Sequence, residues 1–153
     1  MPDTTNVAPL CVERCCRHAA KVLIRVLTKR IEAKANAINH IGKDQFGFRK
    51  GKSTRDATTT LRVLGERSLQ RGKDLCIICF VDYEKAFDRV DWWKMMWMLK
   101  DIGVDWRDRN LIAKLYLGQR AVVRIDGELS GYCIEQGVRQ GCHLSPLLFN
   151  LYI

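Results

Sequence analysis

The ten residues Cys79-Phe-Val-Asp-Tyr-Glu-Lys-Ala-Phe-Asp88 indicate most about how this chain folds. They continue an apolar run, so residues 75–82 are predicted to form a buried β-strand that ends at Asp82. A strand end holds a carboxylate rigidly at the rim of a sheet, where it can share a metal ion with a substrate phosphate. A single carboxylate in this position more often caps a helix, so the neighbouring segments must decide its role.

Two other segments stand out on either side of this stretch. The first is Gln45-Phe-Gly-Phe-Arg-Lys-Gly-Lys-Ser-Thr54, and the second is Gly137-Val-Arg-Gln-Gly-Cys-His-Leu-Ser-Pro146. The first has some likeness to the phosphate-binding loop of P-loop NTPases, but Gly47 and Gly51 enclose three residues instead of four, and a helix precedes them where a strand is required. The NTPase hypothesis also leaves the second segment unexplained, and it is the weaker alternative.

The remaining pattern predicts an α+β chain. Helices are expected at residues 19–35, 55–70, 91–100 with Asp91 as N-cap, and 106–117. A β-hairpin is expected from residues 120–125 and 129–135 around an Asp126-Gly127 turn. Ser145 and Pro146 are predicted to cap and open a last helix. The Trp and Met residues of the third helix are expected to lie in the core.

Composition limits the class of protein. The 153 residues, 47% of them apolar, suffice for one globular domain. The net charge of +9 suits either a polyanionic partner or simple solubility. Seven cysteines without disulfide-framework spacing favour an intracellular protein. No stretch approaches the ~20 apolar residues that a membrane crossing needs, so no membrane partner is expected.

Taken in order, the three segments resemble the motifs of reverse transcriptases, most closely the RNA-directed DNA polymerases of non-LTR (LINE-type) retrotransposons. The loop at 45–49 with Ser53-Thr-Arg-Asp-Ala57 is similar to the fingers motif of that family. Residues 80–88 are similar to its first palm motif, and residues 137–141 with 144–149 to the next. The resemblance implies a partial right-hand polymerase: residues 1–17 as an irregular leader, 18–74 as fingers-like helices and a basic loop, and 75–153 as the N-terminal part of the palm.

The resemblance also implies roles for individual residues. Asp82 matches the catalytic aspartate that ligates Mg²⁺, and the carbonyl of Tyr83 matches a further metal contact. Phe87 matches the steric gate that excludes ribonucleotides, because its apolar ring would leave a 2′-hydroxyl crowded and without a hydrogen-bond partner. The implied partners are an RNA template, a DNA primer and deoxynucleoside triphosphates. The remaining residues expected to bind substrate are Gln140 and Gly141, which match nucleotide and template contacts, and Arg49, Lys52 and Arg55, which match cations that grip the triphosphate.

Two departures from the family pattern affect the expected activity. His143 stands where the family usually has proline, and the Tyr- or Phe-x-Asp-Asp motif, which supplies a further metal-ligating carboxylate, is absent. The chain is therefore expected to be a fragment that is truncated before the Asp-Asp motif and inactive in isolation. The alternative is a catalytically dead remnant that binds nucleic acid.

Overall fold

A computed structural model describes residues 18–72, 77–125 and 128–153. The predicted leader at 1–17 and the predicted turn at Asp126-Gly127 lie outside these residues. The described part is mostly helical. Its elements are α1 (His18–Ala37), α2 (Thr54–Gln70), a 3₁₀ turn (Ala86–Arg89), α3 (Trp92–Asp101), α4 (Trp106–Tyr116), β1 (Arg120–Ile125), β2 (Glu128–Cys133) and α5 (Ser145–Tyr152).

Capping side chains explain where several helices begin. Ser53 caps α2 by accepting from the Asp56 backbone N–H, while the Asp56 carboxylate accepts from the Ser53 backbone N–H. Asp91 accepts hydrogen bonds from the first turn of α3, and Asp105 does the same for α4. The helices predicted from the sequence are confirmed to within two residues at each end.

The core lies where α1, α3, α4 and α5 meet. Helix α1 contributes a stripe at helical spacing, and the other three helices each contribute at least two buried side chains. α3 packs against both α4 and α5, and α5 also contacts α1. The buried apolar side chains of these helices are Ile24, Leu27, Ile31 and Ala35 from α1, Met95 and Leu99 from α3, Ile112 and Tyr116 from α4, and Leu148 and Leu151 from α5.

The two strands of the predicted hairpin are confirmed, and α2 lies outside the core. β1 and β2 pair antiparallel, with Arg120 opposite Cys133 and Ile125 opposite Glu128. None of the residues of α2 is buried. No helix of the described residues is both long enough and apolar enough to cross a membrane.

The predicted buried strand at 75–82 is wrong over the residues that can be compared. Residues 77–83 form no regular secondary structure, and Ile77, Phe80 and Val81 are each more than 70% exposed. A buried strand needs neighbours that pair with its backbone and cover its faces. Among the described residues, β1 and β2 pair only with each other, so this apolar segment has no sheet to join.

Two further sequence predictions need correction. Trp93 and Trp97 are 81% and 64% exposed, since the face of α3 that enters the core carries Met95 and Leu99 instead. Both pairs have the same i, i+4 spacing, so periodicity alone could not tell which stripe is buried. Ser145 is also not an N-cap: it lies inside α5, and its buried Oγ caps no N–H and has no hydrogen-bond partner of good geometry in the described structure.

Two backbone hydrogen bonds dock the segment after the hairpin onto the 3₁₀ turn. The Gly137 N–H donates to the Val90 carbonyl and the Val138 N–H donates to the Phe87 carbonyl, both at 2.8 Å. Gly137 has φ +94, and a Cβ there would lie 2.9 Å from both Cα and the carbonyl oxygen of Asp88. Only glycine allows these two backbone segments to approach so closely.

Gly137→Ala should therefore lower the free energy of unfolding by about 2 to 3 kcal/mol, measured by denaturant titration. Gly103→Ala is the matched control, because Gly103 has φ +76 but nothing within 4 Å of the added methyl group. It should lose only about 1 kcal/mol from its backbone conformation. Equal losses in the two variants would show that the docking contact contributes nothing to stability.

Candidate functional site

Three phenylalanines from three separate segments meet at the centre of the candidate site. The ring of Phe87, on the 3₁₀ turn, stacks on Phe149 of α5 with centroids 4.6 Å apart and an interplanar angle of 15°. The edge of Phe48, on the 45–49 loop, meets Phe87 at 5.9 Å and 83°. Both arrangements are favourable aromatic geometries. This phenylalanine cluster joins the three segments that resemble family motifs, because Phe149 ends the one that comprises residues 137–141 and 144–149.

Hydrogen bonds fasten the same loop to α5. Gln45 Nε2 donates to Asn150 Oδ1 at 3.0 Å, and Asn150 Nδ2 donates to the Gly47 carbonyl at 2.9 Å. Asn150 is buried, so both ends of its amide need such partners. We call these contacts among Gln45, Gly47 and Asn150 the amide bridge.

The backbone is held in an uncommon conformation on both sides of the cluster. Phe48 has φ +53, and Lys85, which immediately precedes the 3₁₀ turn, has φ +51. Bulky side chains seldom adopt the left-handed region, and such conformations persist where the surrounding contacts fix them. Phe87 itself is half-buried, so part of its ring remains accessible.

Asp82 and Tyr83 lie apart from this cluster's packing, on the exposed segment 77–83. The described residues contain no group of three or more His, Cys, Asp or Glu side chains that could hold a metal ion. Glu84 is engaged elsewhere, in an exposed ion pair with Arg89 at 2.9 Å. Asp82 is thus a single accessible carboxylate, and the described residues do not by themselves fit a metal site.

The loop cations Arg49 and Lys52 bind the loop itself. The Arg49 guanidinium donates to the Gly42 carbonyl at 2.6 Å. The Lys52 ammonium donates to the Lys43 carbonyl and lies 4.5 Å from the centroid of the Phe46 ring. Arg55 is exposed in the first turn of α2. These cations lie in one short region, but two of them already have partners.

Gln140 and Gly141 are exposed, and the residues just before them are anchored. Val138 is buried, and the indole N–H of Trp92 donates to the Gly137 carbonyl at 2.7 Å. The Arg139 guanidinium donates to the Leu115 carbonyl. Gln140 and Gly141 are therefore exposed to solvent, and the residues that precede them are held in place.

Tyr116 packs beneath this segment as a neutral group. Its ring centroid lies 5.9 Å from that of Trp92. Burial raises the pKa of the Tyr116 phenol to about 12, against a smaller opposing effect of the Ser145 hydroxyl. A phenol with so high a pKa supports packing and has no role as a base near neutral pH.

The structure brings only some of the predicted site residues together. Phe87 meets both the 45–49 loop and α5, whereas Asp82 and Tyr83 lie on the exposed segment before it. Asn150 was missed by the sequence analysis. The available signal was a lone amide in the otherwise apolar helix Ser145–Tyr152, because a buried amide needs partners.

Comparison with known proteins identifies the family. The family described as reverse transcriptase (RNA-dependent DNA polymerase) matches residues 13–153. The chain is 34% identical over 137 residues, 87% of its length, to the probable RNA-directed DNA polymerase from transposon X-element of Drosophila melanogaster. It is 30% identical over 133 residues, 86% of its length, to the RNA-directed DNA polymerase from mobile element jockey of Drosophila funebris.

A third relative is the putative 115 kDa protein in type-1 retrotransposable element R1DM of Drosophila melanogaster. It is 30% identical over 108 residues, 70% of the chain. The chain spans only 10–14% of the length of these three curated relatives. No solved structure matches the chain.

Proposed function

Because this chain belongs to the reverse transcriptase family, in the branch found in non-LTR retrotransposons, we propose that it forms the nucleotide-selecting part of an RNA-templated DNA polymerase. The observation that carries the proposal is the phenylalanine cluster, which joins the three family motifs around Phe87. The polymerase works inside the cell, as part of a polypeptide longer than these residues.

The proposed architecture is part of a right-hand polymerase. Residues 18–74 form fingers-like helices with the basic loop, and residues 75–153 form the N-terminal part of the palm. Support comes from the way the 45–49 loop folds over Phe87 and contacts α5 through the amide bridge. That contact places the loop of one region directly against the motif of the other.

Phe87 is proposed to act as the gate that selects deoxyribose. The accessible part of its ring would face the sugar, where a 2′-hydroxyl would meet an apolar surface and lose its hydrogen bonds to water. Gln140 and Gly141 are proposed to contact the nucleotide and template, because they are exposed and follow a segment that is held in place. The incoming substrate is a deoxynucleoside triphosphate.

Reverse transcriptases generally depend on a divalent metal, and we take Mg²⁺ as the ion here. Asp82 is the proposed ligand from this chain, with the Tyr83 carbonyl as a second contact. One carboxylate holds hydrated Mg²⁺ weakly, because that ion gives up its water reluctantly. Since the described residues offer no ligand cluster, further carboxylates would come from residues outside the described part.

The cations of the loop region and α2 are proposed to bind the triphosphate. A planar guanidinium matches the geometry of phosphate oxygens, which favours Arg49 and Arg55, with Lys52 as a point charge. Arg49 and Lys52 would exchange their carbonyl partners for phosphate. The net charge of +9 suits the RNA template and DNA primer.

The second candidate function is nucleic-acid binding without catalysis. It is favoured by one observation, the lack of a metal-ligand cluster in the described part of the chain. Both functions predict binding of template and primer with an affinity that falls as salt rises. They differ in whether Asp82 matters for synthesis.

Asp82→Asn in the polymerase that contains this chain should lower Mg²⁺-dependent extension of a DNA primer on an RNA template by at least ~100-fold, the size expected for losing one charged group at the reacting atoms. The matched control is Asp101→Asn, an exposed carboxylate in the last turn of α3. Asp101→Asn should retain primer extension at the rate of the unmodified protein. No extension by the unmodified protein would favour the binding remnant, whereas full activity of Asp82→Asn would refute the assignment of Asp82 as the metal ligand.

Phe87→Ala in the same assay should reduce discrimination between deoxynucleotides and ribonucleotides by about 10- to 100-fold. The substitution removes the ring that would crowd a 2′-hydroxyl, a group that deoxynucleotides lack. Incorporation of deoxynucleotides should change by no more than a few-fold and serves as the internal control. Unchanged sugar discrimination would refute the assignment of Phe87 as the gate.

A further inference from the structure

The local structure around Phe87 is too small to fix its ring. The 3₁₀ turn has four residues, Ala86–Arg89, and none of them is buried. It follows the exposed segment 77–83, which provides no support. A gate that discriminates by crowding must be held within a fraction of an ångström. The orientation of the Phe87 ring therefore depends on the side chains that pack against it.

Helix α5 supplies the rigid side of that packing. Leu148 and Leu151, on either side of Phe149 in the sequence, are buried in the core. Phe149 is thus presented from a fixed helix and stacks on Phe87. Asn150 comes from the same turn of the helix and is 8% exposed.

The amide bridge supplies the other side. Asn150 uses both ends of its amide, accepting from Gln45 and donating to the Gly47 carbonyl. Gly47 immediately precedes Phe48, the residue whose edge meets Phe87. The ring of Phe48 is 67% exposed and its backbone is in the left-handed region, so burial alone does not account for its position. The bridge ties the backbone beside Phe48 to α5.

We propose that Asn150 is a positioning residue for sugar selection: through the amide bridge it holds Phe48 against Phe87, and so fixes the ring that meets the 2′ position. The inference rests on the proposed role of Phe87 as the gate. Without the bridge, the loop carrying Phe48 is released from α5, and the Phe87 ring gains freedom to rotate away from a 2′-hydroxyl. Asn150 itself touches neither the sugar nor the reacting atoms.

The experiment measures kcat/KM for one deoxynucleotide and its ribonucleotide counterpart in the polymerase that contains this chain. Asn150→Ala should lower the ratio of the two values by about 3- to 10-fold, through better ribonucleotide use. Gln45→Ala, at a half-buried loop position, removes the hydrogen bond to Asn150 but leaves the one from Asn150 to the Gly47 carbonyl. It should lower the ratio in the same direction by a smaller factor, and it tests the proposal if Asn150→Ala fails to fold. Asn150→Asp keeps an acceptor for Gln45 but sets a buried carboxylate oxygen against the Gly47 carbonyl, so it should lower the ratio at least as much as Asn150→Ala. Asn110→Ala, an exposed asparagine of α4, is the matched control and should leave the ratio unchanged.

The double variant Phe87→Ala/Asn150→Ala separates this inference from the gate assignment. If Asn150 acts through Phe87, its removal should have no further effect on the ratio once Phe87 is alanine. The positioning role would be overturned if Phe87→Ala changed the ratio while Asn150→Ala and Gln45→Ala left it unchanged. The assignment of Phe87 as the gate would then still stand. An unchanged ratio in Phe87→Ala would overturn both. An effect of Asn150→Ala that persists undiminished in the Phe87→Ala background would show that Asn150 acts by another route.

Discussion

The pair of backbone hydrogen bonds from Gly137 to Val90 and from Val138 to Phe87 is the constraint on which the site depends. It brings the segment that follows the hairpin onto the 3₁₀ turn, and it requires glycine at position 137 because Asp88 leaves no room for a Cβ. The two bonds also set where α5 begins relative to Phe87. They act together with the packing of α5 on α3, which also holds Phe149 and Asn150 near the turn.

From that junction the site is built by side chains that link distant parts of the chain. Phe149 stacks on Phe87, and Asn150 reaches a loop more than 100 residues earlier in the sequence. The nucleotide-selecting half of the proposed site is thus assembled within the described residues. The metal-binding half is not, since Asp82 stands alone on an exposed segment.

Local signals predicted local structure well. The capping residues Ser53 and Asp91 and the hairpin strands were read correctly because their determinants lie within a few residues of one another. The strand at 75–82 was not, because an apolar run forms a buried strand only where partner strands exist. The exposure of Trp93 and Trp97 was missed because two stripes of α3 share the same spacing. Family resemblance pointed to Phe87, and the lone amide of α5 was a signal for Asn150, but the partners of both side chains depend on tertiary contacts between distant segments.

Amide hydrogen exchange at Gly137 and Val138 tests the central claim most directly, since their N–H groups are the donors that join the second palm-like motif to the first. The account predicts protection of both amides comparable to that of Met95 and Leu99 in the buried face of α3. The amides of the exposed residues Phe80 and Val81 should exchange fast and serve as the internal reference. Exchange at Gly137 and Val138 as fast as at Phe80 and Val81 would contradict the account, because the motifs would then not be held together.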